Sequence, residues 1–224
     1  MRIKNLHRWD ISPKKAVKLQ RALAQLVVCE DHVKKIKKIA GVDVSCMPDD
    51  DTLYAGAVVI DVEKWCIVET AYNIQKTSFP YVPGLLSFRE APAILGALRK
   101  LRATPDVVIV DGQGLAHPRR FGLASHLGVV LDRPTIGCGK SRLIGSYQEP
   151  GKRSGAMSNL MDGNEVIGKV LRTRDGVSPI FVSVGHEITL ARASEIIMDN
   201  LSIYRLPEAV RAAHAYVNHI RKSQ

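Results

Sequence analysis

Ile39-Ala-Gly-Val-Asp-Val-Ser45 and Val107-Val-Ile-Val-Asp111 are short apolar runs, and each carries one acid where burial ought to forbid it. The second run is followed at once by Gly112 and lies between two stretches with helical spacing, over residues 87–101 and 122–131. A short all-apolar strand between helices is the pattern of a parallel strand covered on both faces. The first run opens a different rhythm. Residues 39–45, 54–62 and 66–74 are rich in Val and Ile, and the connections at 47–51 and 63–64 are short. Three such segments predict an antiparallel meander.

Working outward, residues 135–138 form another extended segment, as do 166–171 and 180–184, and helices are predicted near 190–198 and 208–220. At the N-terminal end Ser12-Pro13 precedes Ala16, Leu19, Leu23, Leu26 and Val27, the signature of a capped amphipathic helix with Pro at its first position. Lys34, Lys35, Lys37 and Lys38 then read as a solvated basic connection. No internal repeat or low-complexity tract interrupts the chain. Three antiparallel strands, then helix, strand, helix, strand, is the order of the α/β ribonuclease H-like fold. It has a central mixed sheet flanked by helices, with the first and fourth strands side by side. Residues 1–224 are read as a single domain, since no shift in composition marks a boundary.

Lys and Arg number 32 against 22 Asp and Glu, a net charge of +10. An excess of this kind favours a polyanionic partner through counterion release, although it also serves solubility alone. Cys29, Cys46, Cys66 and Cys138 form no C-x-x-C pair, and each lies in or beside an apolar run, as a small buried hydrophobe would. They suit a reducing cytosol better than a disulfide framework. Residues 1–18 have scattered charges and no apolar core, so no signal peptide is expected, and no run is long enough to span a bilayer. The expectation is a cytoplasmic protein with no membrane association and no obligate protein partner.

Asp43 and Asp111 are the first candidates for chemistry. A carboxylate in apolar surroundings needs a partner, and a hard divalent cation held by one or two carboxylates and phosphate oxygens is a natural one. The bland alternatives are a satisfied core acid and a strand terminus. Glu90 has a strong rival explanation, because Ser87-Phe-Arg-Glu90 is a capping box, and on local pattern the cap is preferred. Before it stands Pro80-Tyr81-Val82-Pro83-Gly84, a loop stiffened by two prolines, which presents an aromatic ring and a branched side chain. It reads either as a wedge between base steps or as a Pro-rich surface turn. Gly112 and Gly114 after Asp111 allow close backbone approach to a ligand, or a tight turn. His117-Pro-Arg119 either contacts phosphate or shapes that loop. Lys140 is read as a solvated lysine or as charge beside a phosphate, and His214, among alanines, as a packed helix residue.

Four stretches, in this order, resemble the motifs of the endonuclease V family: residues 79–90, Asp111-Gly-Gln-Gly-Leu-Ala-His-Pro-Arg119, Pro134-Thr-Ile-Gly-Cys-Gly-Lys140 and Tyr204-Arg-Leu-Pro-Glu208. The likeness runs from about Gly41 to His214. It departs from the family at Cys138-Gly139, where Val-Ala is usual, and at Ala209, where Pro is common.

The resemblance implies a ribonuclease H-like nuclease that hydrolyses a phosphodiester with Mg²⁺, Mn²⁺ serving as a substitute. It implies cleavage of the second phosphodiester 3′ to deoxyinosine and related deaminated bases, leaving 3′-hydroxyl and 5′-phosphate ends. By motif position Asp43 and Asp111 become the metal ligands and Glu90 the third catalytic acid, with Lys140 and His214 beside them. Tyr81 and its loop, with Gly112, Gly114 and His117, become the contacts to damaged DNA around a flipped base. Two other functions compete. One is a ribonuclease of the same fold acting on inosine-containing RNA, for which no motif here reports on 2′-hydroxyls. The other is a binding module without catalysis, which the presence of all three acids disfavours.

Overall fold

The Val- and Ile-rich runs pair into one eight-stranded sheet in a computed structural model that describes residues 1–33, 35–47 and 50–223. Its strands are β1 (Lys38–Met47), β2 (Asp50–Asp61), β3 (Cys66–Lys76), β4 (Val107–Val110), β5 (Thr135–Gly139), β6 (Met157–Asp162), β7 (Glu165–Leu171) and β8 (Ile180–His186). Their order across the sheet is β3-β2-β1-β4-β5-β8-β7-β6. The first three form the expected meander, β4 runs parallel to β1, and β5 runs parallel to β4. Beyond β5 the neighbours are antiparallel. The ribonuclease H-like order read from the sequence is therefore the order observed.

Helices α1 (Pro13–Ala24), α2 (Leu86–Lys100), α3 (Leu123–Leu131), α4 (Leu190–Asp199) and α5 (Glu208–Lys222) complete the chain. Alternation along the central strands divides the core in two. Ala40, Val42, Val108 and Val110 pack on one face against Ile94 and Leu98 of α2 and Leu127 of α3. Ile39, Val107 and Ile109 pack on the other, against Ile196 of α4 and Val210 and Ala213 of α5. A strand such as β4, buried on both sides, has no polar face to show, which explains its unbroken apolar run.

Several local expectations change. The helix at residue 87 begins earlier: α2 starts at Leu86, Leu85 is its N-cap, and no side chain caps it. Ser87 lies inside the helix, and its hydroxyl meets Nδ1 of His126 at 3.0 Å, so the capping-box reading of Glu90 is wrong. Cys29, Cys46 and Cys66 are exposed and only Cys138 is buried; Cys46 and Cys66 fall at strand ends and Cys29 in the connection before β1. The short strand β6 was not expected from the sequence. Its partner follows a Gly163-Asn164 connection with Gly163 at φ 59°, and that Gly-Asn pair is a hairpin signal that would have located it. Pro48 and Asp49 of the turn at 47–51, and Lys34 of the basic stretch, lie outside the described residues. No helix among the described residues is long and apolar enough to cross a membrane.

Two glycines decide how near α5 comes to the sheet. A Cβ on Gly41 would stand 1.9 Å from the carbonyl oxygen of Ala209, and one on Gly56 would stand 2.6 Å from Cγ2 of Val217. Backbone thus meets backbone where β1 passes under α5. Asp43, two residues after Gly41, shares that face, and this approach brings His214 to it. Gly41→Ala forces the helix outward, an overpacking defect that typically costs about 1–3 kcal/mol. The expected outcome is a lower urea midpoint at unchanged slope; a midpoint equal to wild type would show that α5 is not pressed against β1.

Candidate active site

The register of β1 against β4 builds the acidic centre. Val42 pairs with Val110, so Asp43 and Asp111 follow as the next neighbours, and the Asp111 N–H donates to the Val42 carbonyl at 3.4 Å. Both carboxylates are poorly exposed, at 11% for Asp43 and 14% for Asp111. Glu90 comes from α2, one turn into the helix, and its carboxyl is enclosed near the other two. Burial, followed by the charges of Asp43 and Asp111, pushes its pKa up to about 8, against a weaker opposing pull from Arg89. Asp43 is also raised, by burial and by Asp111, with His214 partly offsetting the shift. The two aspartates thus make ionisation of Glu90 harder, and Asp111 does the same to Asp43.

Two basic groups flank the acids. Lys140, just beyond β5, places Nζ 2.5 Å from Oδ2 of Asp111. Burial disfavours its ammonium, but the Asp111 hydrogen bond and charge outweigh that and raise its pKa. On α5, Nδ1 of His214 lies 2.7 Å from Oδ2 of Asp43, and Asn218, one turn later, meets Nε2 at 3.0 Å. An amide N–H donated to Nε2 leaves the proton on Nδ1, from which it points at Asp43. Asn218 escaped the sequence reading; its spacing of four from His214 on a helix was the signal available.

The loop before α2 is held from below at one carbonyl. Gly84, at φ 77°, has a backbone conformation that favours glycine, and its carbonyl accepts from Gln20 Nε2 at 3.1 Å and Arg119 Nη2 at 2.6 Å. His117 Nε2 is 3.0 Å from the same oxygen, and its Nδ1 accepts from the Arg119 N–H at 3.2 Å, so Nε2 carries the proton and donates. Burial and the nearby Arg119 push the His117 pKa down to about 4, which keeps the ring neutral. His117 and Arg119 therefore shape this loop. Gln20 was also missed, although a fully buried glutamine at helical spacing between Ala16 and Leu23 is the kind of polar residue that marks a built contact. Above this clamp Tyr81 stands 72% exposed, with Val82 half-buried.

Beside the acids opens a cavity of about 370 Å³, lined among others by Tyr81, Gly84, Leu86, Gly112, Lys140 and Leu143. Gly114 does not face it. Its N–H donates to Ser183 Oγ at 2.9 Å, and a Cβ there would lie 1.9 Å from the Val184 carbonyl oxygen, so it packs the loop onto β8.

Asp43, Glu90 and Asp111 offer the oxygen donors that a hard divalent cation prefers, and its charge would relieve the repulsion that raises Glu90 and Asp43. The group that has ligand-like spacing among the described residues, Asp132, His186 and Glu187, does not itself fit a cation. Asp132 is already paired with Lys4 Nζ at 2.6 Å. Nδ1 of His186 accepts from the Val28 N–H at 3.2 Å, which places the ring proton on Nε2, the atom a cation would need bare. That cluster fastens the segment around Val28 to the end of β8.

The electrostatics make a test of Glu90 possible. In the metal-free protein its folded pKa exceeds the unfolded value, so the folded state binds the extra proton between pH ~4.5 and ~8, and stability falls as pH rises through that window. Glu90→Gln removes the buried charge. The variant should match wild type near pH 5 in chelator and exceed it by roughly 1–3 kcal/mol above pH 8. Thermal melts at the two pH values check this; equal melting curves at high pH would contradict the buried-charge account.

The model of the endonuclease V family matches residues 21–215 of the chain. The endonuclease V of Dictyoglomus thermophilum is 46% identical over 200 residues, 89% of this chain and 87% of that protein. The crystal structure of endonuclease V from Streptomyces avermitilis superposes with a TM-score of 0.92 at 38% identity, covering 100% of this chain and 99% of that one. The endonuclease V of Ciona intestinalis, solved with a 23-nucleotide DNA containing an inosine followed by a ribo-adenosine, superposes at 0.84 with 28% identity, over 95% and 99% of the two chains. With likeness over so much of its length, this chain, whose acids meet at the junction of β1 and β4, belongs to the endonuclease V family of nucleases.

Proposed function

We propose that the chain is a magnesium-dependent endonuclease that cleaves DNA at the second phosphodiester 3′ to deoxyinosine, leaving 3′-hydroxyl and 5′-phosphate ends. The observation that carries this reading is the meeting of Asp43, Glu90 and Asp111 beside a cavity roofed by the clamped Tyr81 loop. Asp43 and Asp111 would hold the cation, with Glu90 as the third acid. Mg²⁺ there supplies Lewis-acid polarisation of a phosphoryl oxygen and lowers the pKa of water. Lys140 holds positive charge beside the phosphate, and His214 orients the Asp43 carboxylate through Nδ1. The exposed ring of Tyr81, on a backbone fixed by Pro80, Pro83 and the grip on Gly84, acts as the wedge. It lowers the free energy of an unstacked base, which costs a few kcal/mol to extrude and least where pairing is already poor. The cavity beside it is within the size range of small-ligand sites, about 300–1,000 Å³, and Gly112 offers it a wall without a side chain.

A second reading, cleavage of inosine-containing RNA, gains support from one observation. The nucleic acid bound to the Ciona intestinalis protein carries a ribonucleotide directly after its inosine.

Mapping cuts on matched deoxyinosine and inosine oligonucleotides, with Mg²⁺ and with chelator, separates the two. The expected result is cleavage immediately 3′ to the nucleotide that follows deoxyinosine, at least about tenfold faster than on the RNA, and none in chelator. Faster cleavage of the RNA would put the ribonuclease reading first. Cutting in chelator would remove the metal from the account.

A further inference from the structure

Gln113 lies two residues after Asp111, and its side chain is almost wholly enclosed, with the residue 9% exposed. Its Nε2 donates to the carbonyl of Ser141 at 3.0 Å, so the loop that follows β4 is tied to the loop that follows β5. That tie is possible because residue 139 has no side chain. A Cβ on Gly139 would lie 2.1 Å from Gln113 Nε2 and 2.9 Å from Cδ. The glycine and the glutamine amide therefore occupy one space between them.

The backbone of Gln113 is also fixed. Its carbonyl accepts from the Ala124 N–H at 3.0 Å, and a Cβ on Gly122 would stand 2.2 Å from the same oxygen. The bonded carbonyl on the far side belongs to Ser141, the residue after Lys140. Lys140 in turn is held on its own carbonyl by Nη2 of Arg205 at 2.7 Å, while its ammonium reaches Asp111. Two side chains thus fix adjacent carbonyls of the segment that aims a four-carbon lysine stem. A flexible stem needs this, since a displacement near 1 Å at a reacting group costs about 100-fold in rate.

We infer that Gln113 is a positioning residue for Lys140, and that Gly139 is the gap that admits its amide. This rests on the role proposed for Lys140. Gln113 also lines the cavity and its Oε1 is buried without a partner, but its one side-chain hydrogen bond among the described residues goes to the Ser141 carbonyl, and the proposed effect on rate is exerted through that bond.

The test is a cycle of single-turnover cleavage rates and KM on a deoxyinosine duplex with Mg²⁺, using Gln113→Met, Gly139→Ala, Lys140→Ala and the Gln113→Met/Lys140→Ala pair. Met keeps the volume and lacks the donor; Gln113→Asn, too short to reach, serves as the second variant if Met fails to fold. The expected result is a loss of about tenfold in rate for Gln113→Met and Gly139→Ala, with KM within about threefold. In the Lys140→Ala background the Gln113 substitution should add less than about twofold. If Lys140→Ala is slow and Gln113→Met slows it further by its full factor, or if Gln113→Met alone is as fast as wild type, the inference is overturned while the reading of Lys140 stands. If Lys140→Ala itself cleaves at the wild-type rate, the reading of Lys140 falls and takes the inference with it.

Discussion

Mutual repulsion of three enclosed carboxylates is the constraint on which the rest of this structure depends. Asp43 and Asp111 are neighbours because β1 and β4 are parallel and in register, and Glu90 is delivered to them by α2. No folded chain keeps three such charges together without compensation. The protein supplies part of it by holding a proton on Glu90 and by presenting Lys140 to Asp111 and His214 to Asp43. A cation bound there would supply the remainder. Destabilised charge at the ends of the central strands would then be the source of metal affinity, and a stability deficit at this point is the expected companion of activity.

The compensating bases come from opposite ends of the chain's second half, and each is aimed by backbone contact. Gly41 lets α5 settle on β1, which sets the height of His214. The β4–α3 loop, pressed on β8 through Gly114, carries Gln113 against the Lys140 segment. Glycines therefore act here as points of contact between backbones more than as sources of freedom. The Tyr81 loop obeys the same logic, with Gln20, Arg119 and His117 converging on one carbonyl so that an exposed aromatic ring stands on a fixed base.

The sheet order and the pair Asp43 and Asp111 were legible because an acid in an apolar strand breaks a pattern that burial otherwise enforces. Glu90 was harder. Its local sequence matches a capping box, and only the packing of Ser87 against His126 removes that alternative. Tertiary contact overrode a local signal. Strand β6 was hidden by its weak alternation, since Met157 and Asn159 face solvent at the sheet edge. Cys46 and Cys66 were misplaced because an apolar neighbourhood in sequence does not fix the side on which a strand end is covered, and Cys29 lies in the connection between α1 and β1. Gln20, Gln113, Arg205 and Asn218 act through partners distant in the sequence or through helix geometry, and no local spacing reports a hydrogen bond of that kind.

Proton release on metal binding tests the central claim most directly. If a cation replaces the proton that Glu90 holds with its pKa near 8, Mg²⁺ titrated into metal-free protein at pH 7 must displace close to one proton. Calorimetry in buffers of different ionisation enthalpy reads that number. The account predicts release approaching one proton at pH 7, a decline toward zero above pH 9, and none from this site in Glu90→Gln. Binding at pH 7 without proton release, or release that persists unchanged in Glu90→Gln, would contradict it.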